Sequence, residues 1–279
     1  IETVWHYEKT ESSPQGNSNS SMNFTPPIAL PLSDSNGDGK IGQGDIASII
    51  YITQNGRLTA LDGKSGNPLW ATGNYGVNYY FPTVAAADIN GDSIPEIVVG
   101  RTDGNIDILN ANGQIIKTVS TPNYSNSNPV TIADVNQDGH ADLVTHSGYY
   151  TFNSNKWVSF ATRSSLSFYP VAVAKLLPNS PGNQVISGQD IFNYDGSFLF
   201  NLQGISYNDR YVSSSAIADL NDDKLPEIIT SSGGYININN GQDGQLIRRF
   251  RMNCGSESPA PTVADFNGDG IPDIGVAGA

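Results

Sequence analysis

Five short segments of this 279-residue chain share one spacing, Asp-x-Asn-x-Asp. They are Asp34-Ser35-Asn36-Gly37-Asp38, Asp88-Ile89-Asn90-Gly91-Asp92, Asp134-Val135-Asn136-Gln137-Asp138, Asp219-Leu220-Asn221-Asp222-Asp223 and Asp265-Phe266-Asn267-Gly268-Asp269. In the last four, a further acid stands four residues on: Glu96, Asp142, Glu227 and Asp273. In the first, the inserted Gly42-Gln43-Gly44 moves that acid to Asp45, the twelfth position of the loop. Asp, Asn and Gly are ordinary turn formers, and one such segment would mean little. Five in the same register at a regular interval mark an internal repeat.

The spacing suits a hard cation. Side chains at positions 1, 3 and 5 of a tight loop can converge on one point. Position 7 supplies a backbone carbonyl, here from Lys40, Ile94, His140, Leu225 and Ile271. The acid at position 9 closes the shell. Ca²⁺ takes six to eight oxygen ligands, and an oxygen-only set disfavours zinc or copper. Mg²⁺ prefers a few carboxylates and retained waters. Gly at position 4 or 6 allows the backbone of a sharp turn. The reading is about five structural Ca²⁺ sites.

The metal loops also account for the charge. The chain has 27 acids against 14 bases, a formal net charge of −13. Three acids in each of five loops make fifteen of the 27, and the remainder nearly balance the bases. Acidity argues against a nucleic-acid partner, and Arg248, Arg249 and Arg251 are the one cationic cluster. No apolar run is long enough to span a membrane. A single cysteine, Cys254, excludes a disulfide framework within the chain; it could pair with a cysteine beyond the C-terminus.

The first residues of the five loops lie 54, 46, 85 and 46 residues apart. The long step is nearly two periods, so a degenerate repeat is expected inside it. Val171-Ala172-Val173-Ala174-Lys175 mimics Val84-Ala85-Ala86-Ala87-Asp88, with Lys175 where Asp should stand. That repeat keeps the strand and loses the metal, and Lys175 could supply a fixed positive charge. Each repeat has an apolar run before the loop and a β-branched run after it, such as Ile97 to Gly100. Alternating segments follow, closed by Asp62-Gly63, Asn112-Gly113 or Asp243-Gly244. Such dipeptides are hairpin signals. Four strands per repeat and no amphipathic helix predict an all-β fold of four-stranded blades, a β-propeller. The expected division is an N-terminal strand and Ser/Asn-rich connector over 1–25, then a propeller over 26–279. Its blades fall near 26–76, 80–122, 128–162, 167–205 and 211–252, with a partial one over 258–279.

With these loops and runs such as Pro95-Glu96-Ile97-Val98-Val99-Gly100 and Ile274-Gly275-Val276-Ala277-Gly278, the chain resembles integrin-α-like propellers built from FG-GAP or VCBS repeats. The resemblance covers about residue 26 to the end. It implies a calcium loop between the first two strands of each blade, on the face opposite the ligand surface. It also implies an extracellular or cell-surface adhesion module. Family propellers usually have seven blades, so about six visible repeats suggest a longer chain. A missing C-terminal portion or a partner chain would then complete the last blade. Thr3-Val4-Trp5-His6-Tyr7 resembles an outer strand.

Catalytic patterns are sparse. Gly37-Asp38-Gly39-Lys40-Ile41-Gly42 matches a dinucleotide fingerprint by letter, but no helix follows and its acid belongs to a metal loop. Paired carboxylates occur only in the metal loops. Of the histidines, His140 is at position 7, His6 is near the terminus and His146 is placed on a strand. No enzyme is expected. Tyr75, Tyr79, Tyr80, Phe81, Tyr149, Tyr150, Tyr207 and Tyr211 fall in or near inter-blade loops. They are candidates to bind a protein or carbohydrate ligand there, or else to pack between blades. The alternatives to adhesion are the propeller part of a secreted polysaccharide-degrading enzyme and a structural subunit of a surface fibre or complex.

Overall fold

A computed structural model describes residues 27–53, 56–73, 75, 83–101, 103–121, 129–160, 171–205, 215–252 and 259–276. Thr3 to Tyr7, the connector, Cys254, Tyr79, Tyr80, Phe81, Tyr207 and Tyr211 lie outside them. The described residues are all-β, with turns between the strands and no helix.

The first sheet comprises β1 (Ile28–Pro31), β2 (Ala47–Ile52), β3 (Leu58–Asp62) and β4 (Pro68–Thr72). The second is β5 (Val84–Ala87), β6 (Glu96–Gly100), β7 (Ile106–Leu109) and β8 (Ile115–Val119). The third is β9 (Thr131–Ala133), β10 (Asp142–Thr145), β11 (Gly148–Thr151) and β12 (Lys156–Ser159). The fourth is β13 (Ala172–Ala174), β14 (Gln184–Ser187), β15 (Asp190–Phe192) and β16 (Phe198–Asn201). The fifth is β17 (Ala216–Ala218), β18 (Glu227–Ser232), β19 (Tyr235–Asn240) and β20 (Leu246–Arg251). A two-stranded sheet, β21 (Thr262–Ala264) with β22 (Asp273–Gly275), ends the series. Every sheet is an antiparallel meander in chain order. The sheet between loops three and five is the degenerate repeat, so the long step does hold a full four-stranded unit.

The described residues fall into two compact units, one up to Val130 and one from Thr131. Within each, consecutive sheets pack face to face. In the first, Ile50, Ile52 and Leu58 of sheet one meet Val84, Ile97, Val99 and Leu109 of sheet two. In the second, Val144, Tyr149 and Phe160 meet Val185 and Phe192, and Phe160 stacks on Phe192 at 4.8 Å. Leu176, Ile186 and Ile191 then meet Ile228, while Ile229, Ile236 and Ile238 take Val263 and Ile274. Adjacent residues of one strand thus serve opposite faces: Val185 faces the sheet before it, Ile186 the sheet after. A strand covered on both sides needs no polar alternation. Accordingly β14 and β18, covered in this way on both faces, are buried throughout, as are β6 and β10, whereas β2 alternates between buried and half-buried residues and β22 is half-buried. Outer strands such as β4 and β8 are largely exposed.

Hairpin glycines fix the turns. Gly113 and Gly244 have φ of 75° and 74°, as Asn112-Gly113 and Asp243-Gly244 predict. After β3 the expected Asp62-Gly63 turn shifts. The left-handed residue is Gly66, whose N–H bonds the Asp62 carbonyl at 2.7 Å. His146 lies in the turn between β10 and β11 rather than on a strand. Gly113 also sits against a neighbour: a Cβ there would lie 2.7 Å from the Trp70 ring, and Trp70 Nε1–H donates to the Ala111 carbonyl at 2.9 Å. Gly113→Ala is therefore expected to cost about 2 kcal/mol, from left-handed strain and overpacking together. Urea unfolding of the variant checks it, with a shift in midpoint at unchanged slope.

Candidate metal centres

Each Asp-x-Asn-x-Asp loop joins the first strand of a sheet to the second. All five follow one hydrogen-bonding plan. The position-1 Asp gathers backbone N–H groups from across the turn. Asp34 Oδ1 accepts from Gly37 and Asp38 at 2.6 and 3.2 Å, and its Oδ2 accepts from Gly39 at 2.8 Å. Asp88 repeats this with Gly91, Asp92 and Ser93, and Asp265 with Gly268, Asp269 and Gly270. Asp134 holds Asp138 and Gly139; Asp219 holds Asn221, Asp223 and Lys224. These N–H groups lower the Asp265 carboxyl, and they outweigh burial to lower that of Asp219.

The Asn at position 3 accepts the position-5 N–H at 2.8–2.9 Å in every loop, from Asn36 to Asn267. Its Nδ2 donates to the position-5 carboxylate at 3.1–3.3 Å. That carboxylate accepts the position-7 N–H of Lys40, Ile94, His140, Leu225 or Ile271 at 2.8–2.9 Å. A shared backbone underlies this. Position 4 has φ of 79°, 83°, 59°, 62° and 80° at Gly37, Gly91, Gln137, Asp222 and Gly268. Position 6 has 83°, 68°, 87°, 70° and 85° at Gly39, Ser93, Gly139, Lys224 and Gly270. Four non-glycine residues thus hold a left-handed conformation that costs an L-residue roughly 1–2 kcal/mol. The loop geometry is kept even where the sequence does not favour it.

The later acid closes the loop onto the sheet. Glu96 accepts the Ile89 N–H at 3.1 Å, Asp142 that of Val135 at 2.9 Å, Glu227 that of Leu220 at 2.8 Å and Asp273 that of Phe266 at 3.1 Å. Each donor is the position-2 amide, and each acid is the first residue of a second strand. In the first loop Asp45 takes this part despite the insertion. Its Oδ1 accepts from Ser35 and Asn36 at 2.8 and 3.1 Å, and its Oδ2 from Gly42 at 2.9 Å. The Gly42, Ser35 and Asn36 N–H groups hold its carboxyl below the usual range.

Glu96, Asp142 and Glu227 are buried. Burial raises all three carboxyls, and the position-5 and position-1 carboxylates raise them further. Asp142 is pushed up to about 6, and its Oδ1 accepts no hydrogen bond among the described residues. A buried, desolvated carboxylate beside two others is an arrangement that a cation would relieve. At about 4 Å and an effective dielectric near 20, each like-charge pair costs on the order of 4 kcal/mol. The donors are Asp, Asn and Glu oxygens, which fit a hard divalent ion. Among the described residues, however, no three His, Cys, Asp or Glu side chains are already gathered as a metal cluster. The carboxylates are instead turned to backbone N–H groups.

The fourth sheet shows what replaces the acids. Lys175, at position 1, donates to the Ser180 carbonyl, to Gly182 O at 3.4 Å and to Gln137 Oε1 at 3.3 Å. Gln184 begins β14, where other sheets have Asp or Glu. Its Oε1 accepts the Leu176 and Leu177 N–H groups at 2.9 Å. A neutral amide makes the acid's structural bond, and an ammonium supplies the positive charge. Lys175 is thus fixed by backbone oxygens rather than left on a solvated turn. The Gln184 substitution was legible as the first residue of the apolar run after the loop, and sequence reading passed over it.

Of the candidate aromatics, the described Tyr75, Tyr149 and Tyr150 are buried, which favours packing, the second of the two readings, over ligand contact. Tyr149 and Tyr150 lie on β11 and Tyr75 follows β4, all at 5 % exposure or less. The Tyr149 hydroxyl donates to the Tyr194 carbonyl at 2.8 Å, and that of Tyr150 to Asn155 Oδ1. Burial and the nearby Asp142 and Asp138 carboxylates raise the Tyr149 hydroxyl to about 12.

With this geometry in hand, comparison places the repeats. Residues 88–145 and 219–276 match the FG-GAP-like repeat. These two stretches are FG-GAP-like repeats, and the four-stranded antiparallel sheets are consistent with the blades of such repeats. Among solved structures it is similar to the V. cholerae biofilm matrix protein Bap1, at 24% identity and a TM-score of 0.68 over 86% of this chain. It spans only 43% of that protein. A Bacillus licheniformis rhamnogalacturonan lyase matches at 14% identity and a TM-score of 0.61, over 91% of this chain and 56% of the lyase. BamB from Moraxella catarrhalis matches at 18% and 0.52, over 78% of this chain and 64% of BamB. These likenesses concern the fold. None of the curated proteins matches.

Two outcomes test the loops. In metal-free protein the folded state keeps a proton on Asp142 up to about pH 6, whereas the unfolded chain releases it near 3.8. This group therefore adds stability as pH falls from 7 to 5, the reverse of a salt-bridged carboxylate. His146, lowered by burial to about 4, works in the opposite direction, so the reading is the difference between wild type and Asp142→Asn. In EGTA the variant should be the more stable at pH 7, with the gap closing by pH 5; chemical denaturation at both values measures it. For the fourth sheet, Lys175→Met should lower stability by about 1 kcal/mol, because it strips two part-buried backbone carbonyls of a donor. The loss should be the same with and without calcium, as paired thermal melts would show.

Proposed function

We propose that the chain is a calcium-stabilised extracellular module whose sheets are the blades of a propeller, and that it serves adhesion or ligand binding. The observation that carries the calcium reading is the repeated loop plan, in which three acids share one turn, the closing acid being buried in three of the five loops. The ligands would be the side chains at positions 1, 3, 5 and 9, the position-7 carbonyl, and Asp45 in the first loop. The ion supplies charge neutralisation and cross-links two strands of one sheet. Millimolar extracellular calcium suits sites of this modest kind. Five bound Ca²⁺ would bring the formal charge from −13 to −3. Adhesion is supported by the similarity to a biofilm matrix protein. No helix of the described residues is long and apolar enough to cross a membrane.

Binding to the native state alone stabilises by about 2.7 kcal/mol per site at a hundredfold excess over Kd. Chelation with EGTA should therefore lower the melting temperature by many degrees, and native mass spectrometry should count about five calcium ions. An unchanged melting temperature in EGTA would refute the calcium reading.

A second reading follows from the lyase likenesses: a propeller that presents a polysaccharide to a catalytic part. Turnover of a polysaccharide panel by the chain would favour it over adhesion.

A further inference from the structure

The fifth sheet ends in a strand unlike the other outer strands. β20 reads Leu246-Ile247-Arg248-Arg249-Phe250-Arg251, and all six residues are exposed. It carries three of the seven arginines of a chain with net charge −13. The outer strands β4, β8, β12 and β16 contain no arginine and two lysines between them. β20 pairs only with β19, so one of its backbone edges is free. Alternation puts Arg248 on one face and Arg249 with Arg251 on the other.

Two of the arginines are held in place by aromatic rings rather than by acids. Arg248 Cζ lies 4.6 Å from the Phe250 ring centroid, and Arg249 Cζ lies 3.8 Å from that of Tyr235. Stacking occupies a guanidinium face and leaves its N–H edge outward, in the fork that matches a carboxylate. Among the described residues none of the three guanidiniums is paired with a carboxylate. Ile247 and Phe250, at 54% and 40% exposure, add apolar surface beside the charges.

We infer that β20 is a binding strip for an acidic polysaccharide, one bearing a uronate carboxylate on each sugar or every second sugar. Alternate strand residues lie about 6.6 Å apart, so Arg249 and Arg251 set two cations in line on one face, as sparse as the charges of such a chain, with Arg248 on the other face. Duplex DNA, with a charge every ~1.7 Å, would meet three cations and the field of a strongly acidic protein. A second copy of this chain offers its acids outside the metal loops, such as Asp195 and Asp243, singly on separate turns rather than in a row. The strip is distinct from the inter-blade loops and from the metal loops, and the inference stands whether or not calcium binds.

The test uses the calcium-loaded chain and an oligogalacturonate, with its methyl-esterified form and a single-stranded DNA of equal charge as comparators. Binding should appear for the free uronate alone and fall steeply with salt. Arg248→Gln/Arg249→Gln/Arg251→Gln should weaken it by about tenfold or more, as three exposed ion pairs would. The corresponding triple lysine variant keeps the charge and should recover only part of the affinity, because lysine lacks the fork. Equal binding of the esterified sugar, tighter binding of DNA, or unchanged affinity in the glutamine variant would each overturn the inference. So would a glutamine variant that self-associates while its single-substitution counterparts keep full affinity, since the arginines would then only guard a sheet edge. Self-association of the wild-type chain without added sugar would also overturn it, in favour of a second copy as occupant.

Discussion

The structure turns on one bond repeated around the chain: a carboxylate at the first residue of a second strand accepts the amide at position 2 of the preceding loop. That bond fixes where the strand begins and where the loop ends. In β6, β10 and β18 the whole strand is buried, so its first residue is drawn into the interior, and an acid there must be compensated. The rest of the loop supplies the compensation badly on its own. Two further carboxylates point into the same turn, and their oxygens are satisfied by backbone amides and the position-3 Asn side chain. The plan is stable in shape and costly in charge, the condition under which a divalent ion has most to contribute.

Much of this was legible in the residues. The Asp-x-Asn-x-Asp register located all five loops, and the 85-residue step located the sheet that lacks one. Apolar runs after the loops marked the second strands, most of which are buried throughout. Asp45 was traceable through its insertion, since an acid had to return to the position-2 amide. Less legible was whatever depends on which side chain wins a shared space. Asp62-Gly63 looked like a turn, yet the chain continues in strand through Asp62 and reverses at Gly66. Tyr149 and Tyr150 looked like loop aromatics, but the turn before them is short and they fall on a strand packed between sheets. Composition does not separate a tyrosine that stacks on a ligand from one whose hydroxyl reaches a neighbouring carbonyl.

Similarity to known proteins identifies the repeat and leaves the partner to chemistry. The FG-GAP-like segments cover the last four metal loops, with the strands β6 to β10 and β18 to β22. The solved structures most relevant here include a biofilm matrix protein and polysaccharide lyases, which share the sheets at identities where side chains have been replaced many times over.

The fourth sheet has a consequence for how the molecule behaves when ions are scarce. Lys175 and Gln184 give it a covalently tethered cation and an uncharged strand start, so its integrity does not follow the ionic medium. Calcium loss should then act unevenly along the chain, loosening metal-bearing sheets on either side of a segment that stays ordered. Proteases would find their first openings at the acidic loops, and a fragment centred on residues 172–201 would be the last to be degraded.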